Sequence, residues 1–309
     1  MKILITGGAG YIGSVLTEKL LNSGHNVTVY DNLLYMQNSL SSCYKSKNFN
    51  FNNVDVNDVE YLIKQSNNFD IVIPLAAIVG APACKQKPIL AKATNHDSIS
   101  TFLRNISDNI LVIYPTTNSG YGIGEKDKYC DENSPLNPIS QYGKEKVEIE
   151  KILLTRKNSI SLRLATVFGV SSRMRLDLLV NDFTYKAYFD RYIVLFEEKF
   201  KRNFIHVQDV ADTFLFAIKN SKQMIGGAFN VGLSNANLSK LELCEVIKKV
   251  VGEFHISVSE IGKDEDKRDY IVSNKKLESL GWKPKYSLED GIEELIKYYS
   301  FMKRQHNNI

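Results

Sequence analysis

The sequence predicts an α/β protein built on a doubly wound parallel sheet, and three observations carry that prediction. An apolar run, Ile3-Leu4-Ile5, passes through a glycine-rich turn, Thr6-Gly7-Gly8-Ala9-Gly10-Tyr11-Ile12-Gly13-Ser14, into a helix-forming stretch from Val15 to Leu21. Strand, tight turn and helix in succession open a βαβ unit. A second apolar run, Val27-Thr28-Val29-Tyr30, ends in Asp31 about twenty residues beyond the turn. Further short apolar runs alternate with helix-patterned segments, which implies a parallel sheet with helices on its faces.

The first turn is shaped for an anion. Gly7 permits the tight turn, Gly10 removes the Cβ that would keep the backbone from a pyrophosphate, and Gly13 lets the helix pack closely on the strand. With Tyr11 and Ile12 between them, these residues open a helix whose N-terminus presents unpaired N–H groups and the positive end of its dipole. The Asp31 carboxylate, with Asn32 beside it, stands where an adenine-ribose 2′-hydroxyl is expected and repels a 2′-phosphate. The expected cofactor is therefore NAD rather than NADP.

A polar stretch from Asn32 to Lys47 leads to a short third strand, in which Phe49, Phe51 and Val54 alternate with polar residues. The strand is expected to end at Asp55, a candidate acceptor for the adenine amino group, followed by Val56. Asp58 to Gln65 reads as a helix and Asp70 to Pro74 as a buried fourth strand. Leu75-Ala76-Ala77 keeps side chains small, either beside the cofactor or as plain packing. A helix is expected from Pro88 to Ile106 and a fifth strand from Ile110 to Tyr114.

Ligands of such sheets bind beyond the carboxyl ends of the strands. The chemistry is thus expected after the fifth strand, where Thr116, Thr117, Asn118 and Ser119 crowd polar groups together. A proline-bearing loop, Ser134 to Pro138, precedes a helix that starts at Tyr142 and runs to about Leu154. Tyr142 and Lys146 lie four apart, on one helical face. An ammonium near a phenol favours the phenolate and lowers a pKa that starts near ~10, so Tyr142 is a candidate general base with Lys146 as its partner.

Composition narrows the setting. A chain of 309 residues, 43% hydrophobic and 24% charged, forms one large domain or two modest ones. No stretch approaches the ~18 apolar residues of a membrane span, and Met1-Lys2 runs directly into the first strand, so no signal peptide and a cytoplasmic location are expected. The four cysteines, Cys43, Cys84, Cys130 and Cys244, lack metal-ligand spacing and read as reduced, buried thiols. A net charge of +4 is too small to argue for nucleic acid; it suits a phosphate-bearing ligand or a solvated surface.

Thr6 to Gly13, Asp31, Asp55-Val56, Leu75-Ala76-Ala77, Thr117, Tyr142-x-x-x-Lys146 and Arg202-Asn203-Phe204-Ile205-His206-Val207-x-Asp209 together resemble an extended short-chain dehydrogenase/reductase acting on nucleotide sugars, over essentially the whole chain. The resemblance implies a Rossmann domain for NAD over residues 1–168 and 203–232, and a smaller, discontinuous C-terminal domain for the sugar nucleotide over 169–202 and 233–309. It implies a homodimer joined by a four-helix bundle, Thr117, Tyr142 and Lys146 as the catalytic set, and Lys146 on the nicotinamide ribose. Leu162 to Gly169 becomes a sixth strand crossing into the substrate domain. Substrate contacts are implied at Val79, Asn118, Ser119, Thr166, Leu179, Val180 and Asn181, with Arg202 and Arg268 reaching the diphosphate. Arg175 is either a substrate ligand or a surface ion pair. His206, between Ile205 and Val207, reads as a satisfied structural imidazole. Leu277 to Pro284 forms a helix stop and turn before a closing amphipathic helix from Leu288 to Tyr299.

Within the superfamily, 4,6-dehydratases carry an Asp-Glu pair directly after the threonine that matches Thr117. Here those positions are Asn118 and Ser119, which supply no ionisable acid or base, so dehydration is disfavoured. The runs Pro74 to Lys85 and Tyr114 to Asp127, with Phe196-Glu197-Glu198 before Arg202, resemble the GDP-heptose 4-dehydrogenases of Campylobacter-type capsule pathways. That resemblance implies oxidation of GDP-D-glycero-α-D-manno-heptose at C4, with a 2-oxoacid such as 2-oxoglutarate as candidate hydride acceptor. Glu197 and Glu198 either bind extra heptose hydroxyls or decorate a loop. A 4-epimerase remains the alternative, since epimerisation needs only that the oxidised sugar turn over in the site. A non-catalytic NAD-binding protein is the reading from another class, opposed by the intact Thr117, Tyr142 and Lys146.

Overall fold

The chain, described in a computed structural model over residues 1–125, 127–259 and 268–302, begins with β1 (Lys2–Thr6), α1 (Tyr11–Asn22), β2 (Asn26–Asp31) and β3 (Phe49–Asn53). Next come α2 (Val59–Ser66), β4 (Ile71–Pro74), the short helices α3 (Ala81–Gln86), α4 (Pro88–Lys92) and α5 (Ser98–Asn105), and β5 (Leu111–Thr117). They are followed by β6 (Tyr129–Cys130), α6 (Gln141–Leu153), β7 (Ser159–Leu164), β8 (Thr166–Phe168), α7 (Leu179–Phe189) and β9 (Tyr192–Leu195). Beyond these are β10 (Lys201–His206), α8 (Val207–Lys219), α9 (Ser221–Met224), β11 (Ala228–Val231), β12 (Asn237–Ser239) and α10 (Lys240–Val251). β13 (His255–Val258), β14 (Ile271–Val272), α11 (Lys275–Glu278) and α12 (Leu288–Ser300) complete the described elements.

Seven strands form a parallel sheet in the order β11-β7-β5-β4-β1-β2-β3. Its middle strands are buried on both faces, which is why they read as continuous apolar runs. Alternation divides β1 between two cores. Ile3 and Ile5 pack with Leu16 and Leu20 of α1, while Leu4 faces Phe102 of α5 and Leu153 of α6. The strand order reverses between β1 and β4, so the crevice of this doubly wound sheet opens where the glycine turn leaves β1.

Four expectations about elements need correction. The helix expected from Pro88 to Ile106 is a helical path broken by a π-turn over Ala93–Asp97. Asn95 on that turn exchanges hydrogen bonds with Ile78 N (2.8 Å) and Ile78 O (3.0 Å), fixing the segment that leaves β4. The third strand ends at Asn53, leaving Asp55 beyond the sheet, where it accepts from Asn57 N (2.8 Å). The sixth strand is two strands: Ala165 N still bonds Val231 O (2.9 Å) in the main sheet, after which β8 pairs with β10 in a second sheet, ordered β12-β10-β8. β5 also runs on to Thr117, paired with Leu164 of β7.

The second sheet, the pairs β13-β9 and β14-β6, and helices α7, α10 and α12 build the rest. Phe168, Val180, Phe183, Phe204, Leu243, Ile292 and Tyr299 continue the core that starts at Ile3 and Ile5. All four cysteines are buried free thiols. Among the described residues no helix is long and apolar enough to cross a membrane, and no group of His, Cys, Asp and Glu could hold a metal ion.

Candidate active site

At the end of β1 the chain turns without room for side chains. Gly7 takes φ of +70°, and a Cβ there would lie 2.5 Å from Ala76 N; a Cβ on Gly13 would lie 2.5 Å from Gly7 O. Gly10 N donates to Gly7 O (3.0 Å) and Leu75 N to Thr6 O (2.8 Å), which seats Leu75, Ala76 and Ala77 against the turn. Asp31, 7% exposed, accepts from Ala9 N (3.0 Å) and Leu33 N (2.8 Å). Burial pushes its carboxyl above the ordinary value, against the pull of those two N–H groups. Asn32 Nδ2 donates to Asp55 Oδ2 (3.1 Å), so the segments that leave β2 and β3 are joined, with Val56 next in line. A cradle closed to any Cβ, the N-terminus of α1 and a carboxylate tied to the same turn fit a dinucleotide: the turn for the pyrophosphate, Asp31 for the ribose.

Tyr11 and Ile12 open α1, but the Tyr11 hydroxyl reaches away from the turn. It donates to Gly169 O (2.7 Å) beyond β8, and burial raises its pKa. Only the main chain of Tyr11 is left for the cofactor position read from the sequence.

The hydroxyl-rich end of β5 is wired together. Thr117 Oγ1 donates to Ser119 Oγ (2.9 Å) and accepts from Ser119 N (3.1 Å). Arg268 Nη1 donates to the same Ser119 Oγ, so this serine joins Thr117 to an arginine that lies 149 residues beyond the serine in sequence. Asp269 holds that arginine's segment in place, accepting from Lys201 N (2.9 Å) through its side chain and from Gly124 N (2.8 Å) through its carbonyl. Arg202, beside Lys201, is 5% exposed. The Asn118 side chain is fully buried, and among the described residues neither of its amide atoms has a hydrogen-bond partner. The Thr166 hydroxyl at the start of β8 is likewise buried and unanswered.

α6 packs against this strand end. Ser140 caps it, accepting from Gly143 N (3.2 Å), and a Cβ on Gly143 would lie 3.5 Å from Ser119 O. Tyr142 packs against the small cluster of Ile78, Cys84 and Ala91. Lys146 Nζ, 5.9 Å from the Tyr142 ring centroid, lies 2.8 Å from the Tyr114 hydroxyl and donates to Pro115 O (3.1 Å). Burial is the main reason its pKa falls to about 7. The pair read from the sequence is therefore assembled, but the amine is anchored to β5.

The second lobe brings some expected residues to the cleft and keeps others in its frame. The Arg175 guanidinium pairs with Asp177 and would lie 3.9 Å from a Cβ on Gly80. Burial opposes its charge, but the Asp177 carboxylate outweighs that, and the Tyr142 phenol lies within electrostatic range. Val79 is 37% exposed and Leu179 is half-buried, whereas Val180 and Asn181 are fully buried. The Asn181 amide is spent on Gly169 N (3.0 Å) and Arg175 O (2.9 Å), which makes it a brace for the loop carrying Arg175. Glu197 and Glu198 lie in the β9–β10 turn, where Glu198 O accepts from Leu241 N (3.2 Å). His206 Nδ1 accepts from Gln208 N (3.3 Å), so Nε2 carries the proton and donates to Glu294 (2.8 Å).

Sequence reasoning missed a buried ion pair behind the site. Glu150 accepts from Arg163 Nη2 (2.7 Å), Ser161 Oγ (2.6 Å) and Thr116 Oγ1 (2.9 Å). Arg163 Nη1 donates on to the Tyr121 hydroxyl (3.0 Å). The available signal was spacing: Tyr142, Lys146 and Glu150 follow one another at four-residue steps along one face of α6.

Residues 3–232 match the profile of the NAD dependent epimerase/dehydratase family. A UDP-glucose 4-epimerase of Lactobacillus helveticus is 28% identical over 94% of this chain and 94% of that protein. A CDP-paratose 2-epimerase of Salmonella typhi is 27% identical over 97% of this chain and 99% of its own length. The crystal structure of a Thermotoga maritima UDP-glucose 4-epimerase with UDP-glucose superposes with a TM-score of 0.82 at 27% identity, covering 97% of this chain and 99% of that one.

Proposed function

The chain belongs to the NAD dependent epimerase/dehydratase family, and from that premise we propose that it oxidises C4 of a nucleotide sugar, with GDP-D-glycero-α-D-manno-heptose as the substrate. The observation that supports the oxidation is Lys146 Nζ lying 5.9 Å from the Tyr142 ring centroid and bonded to Pro115 O, two residues before Thr117 on β5. The choice of heptose rests on the resemblance of Pro74 to Lys85 and Tyr114 to Asp127 to heptose 4-dehydrogenases.

NAD, held by the glycine turn and Asp31, supplies the hydride acceptor for the carbon being oxidised. Tyr142 takes the proton of the hydroxyl on that carbon, and Thr117, fixed by Ser119, orients the hydroxyl. Arg202 and Arg268 present guanidinium forks to the diphosphate. Arg175, beside Gly80, offers a further cation. Asn118, at the position where 4,6-dehydratases have an acid, offers an unspent amide for sugar hydroxyls. Net dehydrogenation needs a terminal oxidant, for which a 2-oxoacid such as 2-oxoglutarate has suitable carboxylates for Arg202 or Arg268. A homodimer formed through a four-helix bundle belongs to the same reading.

The second reading is a nucleotide-sugar 4-epimerase, favoured by the names of the relatives that cover the chain. Incubating the purified protein with GDP-heptose, with and without 2-oxoglutarate, and following products by proton NMR separates the two. A 4-keto product formed in one stoichiometric burst and then continuously on adding the oxoacid is expected. Conversion to the C4 epimer with no acceptor establishes the epimerase.

A further inference from the structure

Ser119 stands between two groups already placed at the site, the Thr117 hydroxyl and the Arg268 guanidinium. Its Oγ lies 2.9 Å from Thr117 Oγ1 and accepts from Arg268 Nη1. The residue is 4% exposed. A frame of backbone bonds delivers the arginine to it: Gly124 N donates to Asp269 O (2.8 Å), Asp269 N to Gly122 O (3.3 Å) and Tyr270 N to Lys201 O (3.2 Å). The segment carrying Arg268 is thus tied both to the loop that follows Ser119 and to β10.

Counting donors shows what the arginine imposes. A guanidinium only donates, so the Ser119 oxygen that meets it must accept. Thr117 donates into that oxygen as well, and the Ser119 proton then has no acceptor among the described residues. A buried donor left unanswered is costly. Turning both hydroxyls about their C–O bonds, with the oxygens in place, reverses the bond between them. Ser119 then donates to Thr117 Oγ1, whose two lone pairs take this proton and that of Ser119 N (3.1 Å). The Thr117 proton becomes available to a sugar. The reacting hydroxyl gives its own proton to Tyr142, so the bond Thr117 can make without competing for that proton is to donate into the hydroxyl oxygen. Negative charge grows on that oxygen as its proton leaves, and a donor placed there stabilises it.

We propose that Arg268 is a positioning residue for the oxidation: acting through Ser119, it turns the Thr117 proton onto the oxygen of the sugar hydroxyl whose proton Tyr142 takes. Arg268 donates to Ser119, Ser119 to Thr117 and Thr117 to the sugar, and every O–H bond of the relay stays intact. Only the sugar's own proton moves, to Tyr142, while its hydride goes to NAD. Because the same guanidinium meets the diphosphate in the function proposed above, one side chain sets both the grip on the nucleotide and the orientation of the reacting hydroxyl. The inference rests on that reading, and it serves dehydrogenation and epimerisation alike, since both begin with this step.

The test is a double-mutant cycle between Arg268 and Ser119. NAD-loaded protein is mixed with GDP-heptose or, as a second probe, UDP-glucose, and single-turnover reduction of the NAD is followed by absorbance. Two quantities are read: the rate at saturating sugar and the sugar concentration that gives half of it. Ser119→Ala cuts the relay but leaves Arg268 to the diphosphate, so the rate is expected to fall about tenfold while half-saturation stays within about twofold of wild type. Ser119→Thr restores the hydroxyl and should recover most of the rate. Arg268→Met should lower the rate by a similar factor and also raise the half-saturating concentration. In the double variant the rate should be no lower than in Ser119→Ala, because the relay is already cut. Additive losses of rate overturn the proposal. So does a Ser119→Ala effect confined to half-saturation, which would mean that the serine only seats the arginine for the diphosphate. A wild type that reduces its NAD with neither sugar refutes the oxidation reading and the relay together, whereas an active wild type indifferent to Ser119→Ala refutes the relay alone. Should Ser119→Ala fail to fold, Arg268→Met decides: a rate at saturating sugar within about twofold of wild type overturns the proposal.

Discussion

Asp31 shows how one carboxylate serves two ends. Its oxygens accept from Ala9 N and Leu33 N, so it shapes the glycine turn, and in the function proposed above it also meets the ribose. NAD is expected to bind about tenfold or more tightly than NADP, a difference of about 1.4 kcal/mol. Asp31→Asn keeps an acceptor oxygen for one of the two turn N–H groups and loses the charge that repels a 2′-phosphate, so it should narrow that gap. Titration of the two cofactors into both proteins checks this; equal wild-type affinities would sink it. Asp31, Gly7, Gly10 and Gly13 were legible in the sequence because each acts on its own turn, within a span that spacing describes. Tyr114 was not, because its meaning depends on Lys146, 32 residues further on and in a different element.

α6 shows where element-level reading stops. The steps from Tyr142 to Lys146 to Glu150 name a face, and helical periodicity gives that much. What the face meets is set by the register of β5 on β7, which aligns Thr116 with Arg163 and Tyr114 with Ser161. No local pattern fixes that register. Glu150 thereby becomes the acceptor for Thr116, Ser161 and Arg163, all buried. Glu150→Ala leaves the Arg163 charge buried without its carboxylate, and breaking such a pair costs about 3–5 kcal/mol. Urea unfolding should show a loss of that size with the slope unchanged; a loss under about 1 kcal/mol would mean that Arg163 finds another partner or water. The split of the expected sixth strand has the same origin. Leu162 to Gly169 reads as one continuous strand, but β11 lies beside its first half and β10 beside its second.

The whole molecule depends on bonds between segments far apart in sequence that meet at the Gly169–Ser171 loop. Tyr11 donates to Gly169 O, the Ser171 hydroxyl donates to Tyr11 O (2.7 Å), and the Tyr299 hydroxyl donates to Asn181 O (2.9 Å). Glu294 on α12 completes the set, accepting from His206 Nε2 (2.8 Å) at the end of β10 and from Val170 N (3.0 Å). A sequence reading places His206 as structural but cannot name Glu294, 88 residues later. Burial pushes the Glu294 carboxyl up, yet its hydrogen bonds to His206 and Val170 outweigh that and hold it below its ordinary value of 4.5. A carboxyl whose pKa is depressed by folding contributes stability that is fully present above the unfolded value and is lost as pH falls through the folded one. Glu294→Gln imitates the protonated acid at every pH. The variant should therefore unfold at lower urea than the wild type at pH 7, and the two midpoints should converge as pH drops below about 4.5. A gap that persists undiminished at pH 3.5 would show that Glu294 stabilises the molecule through its shape and packing rather than its charge.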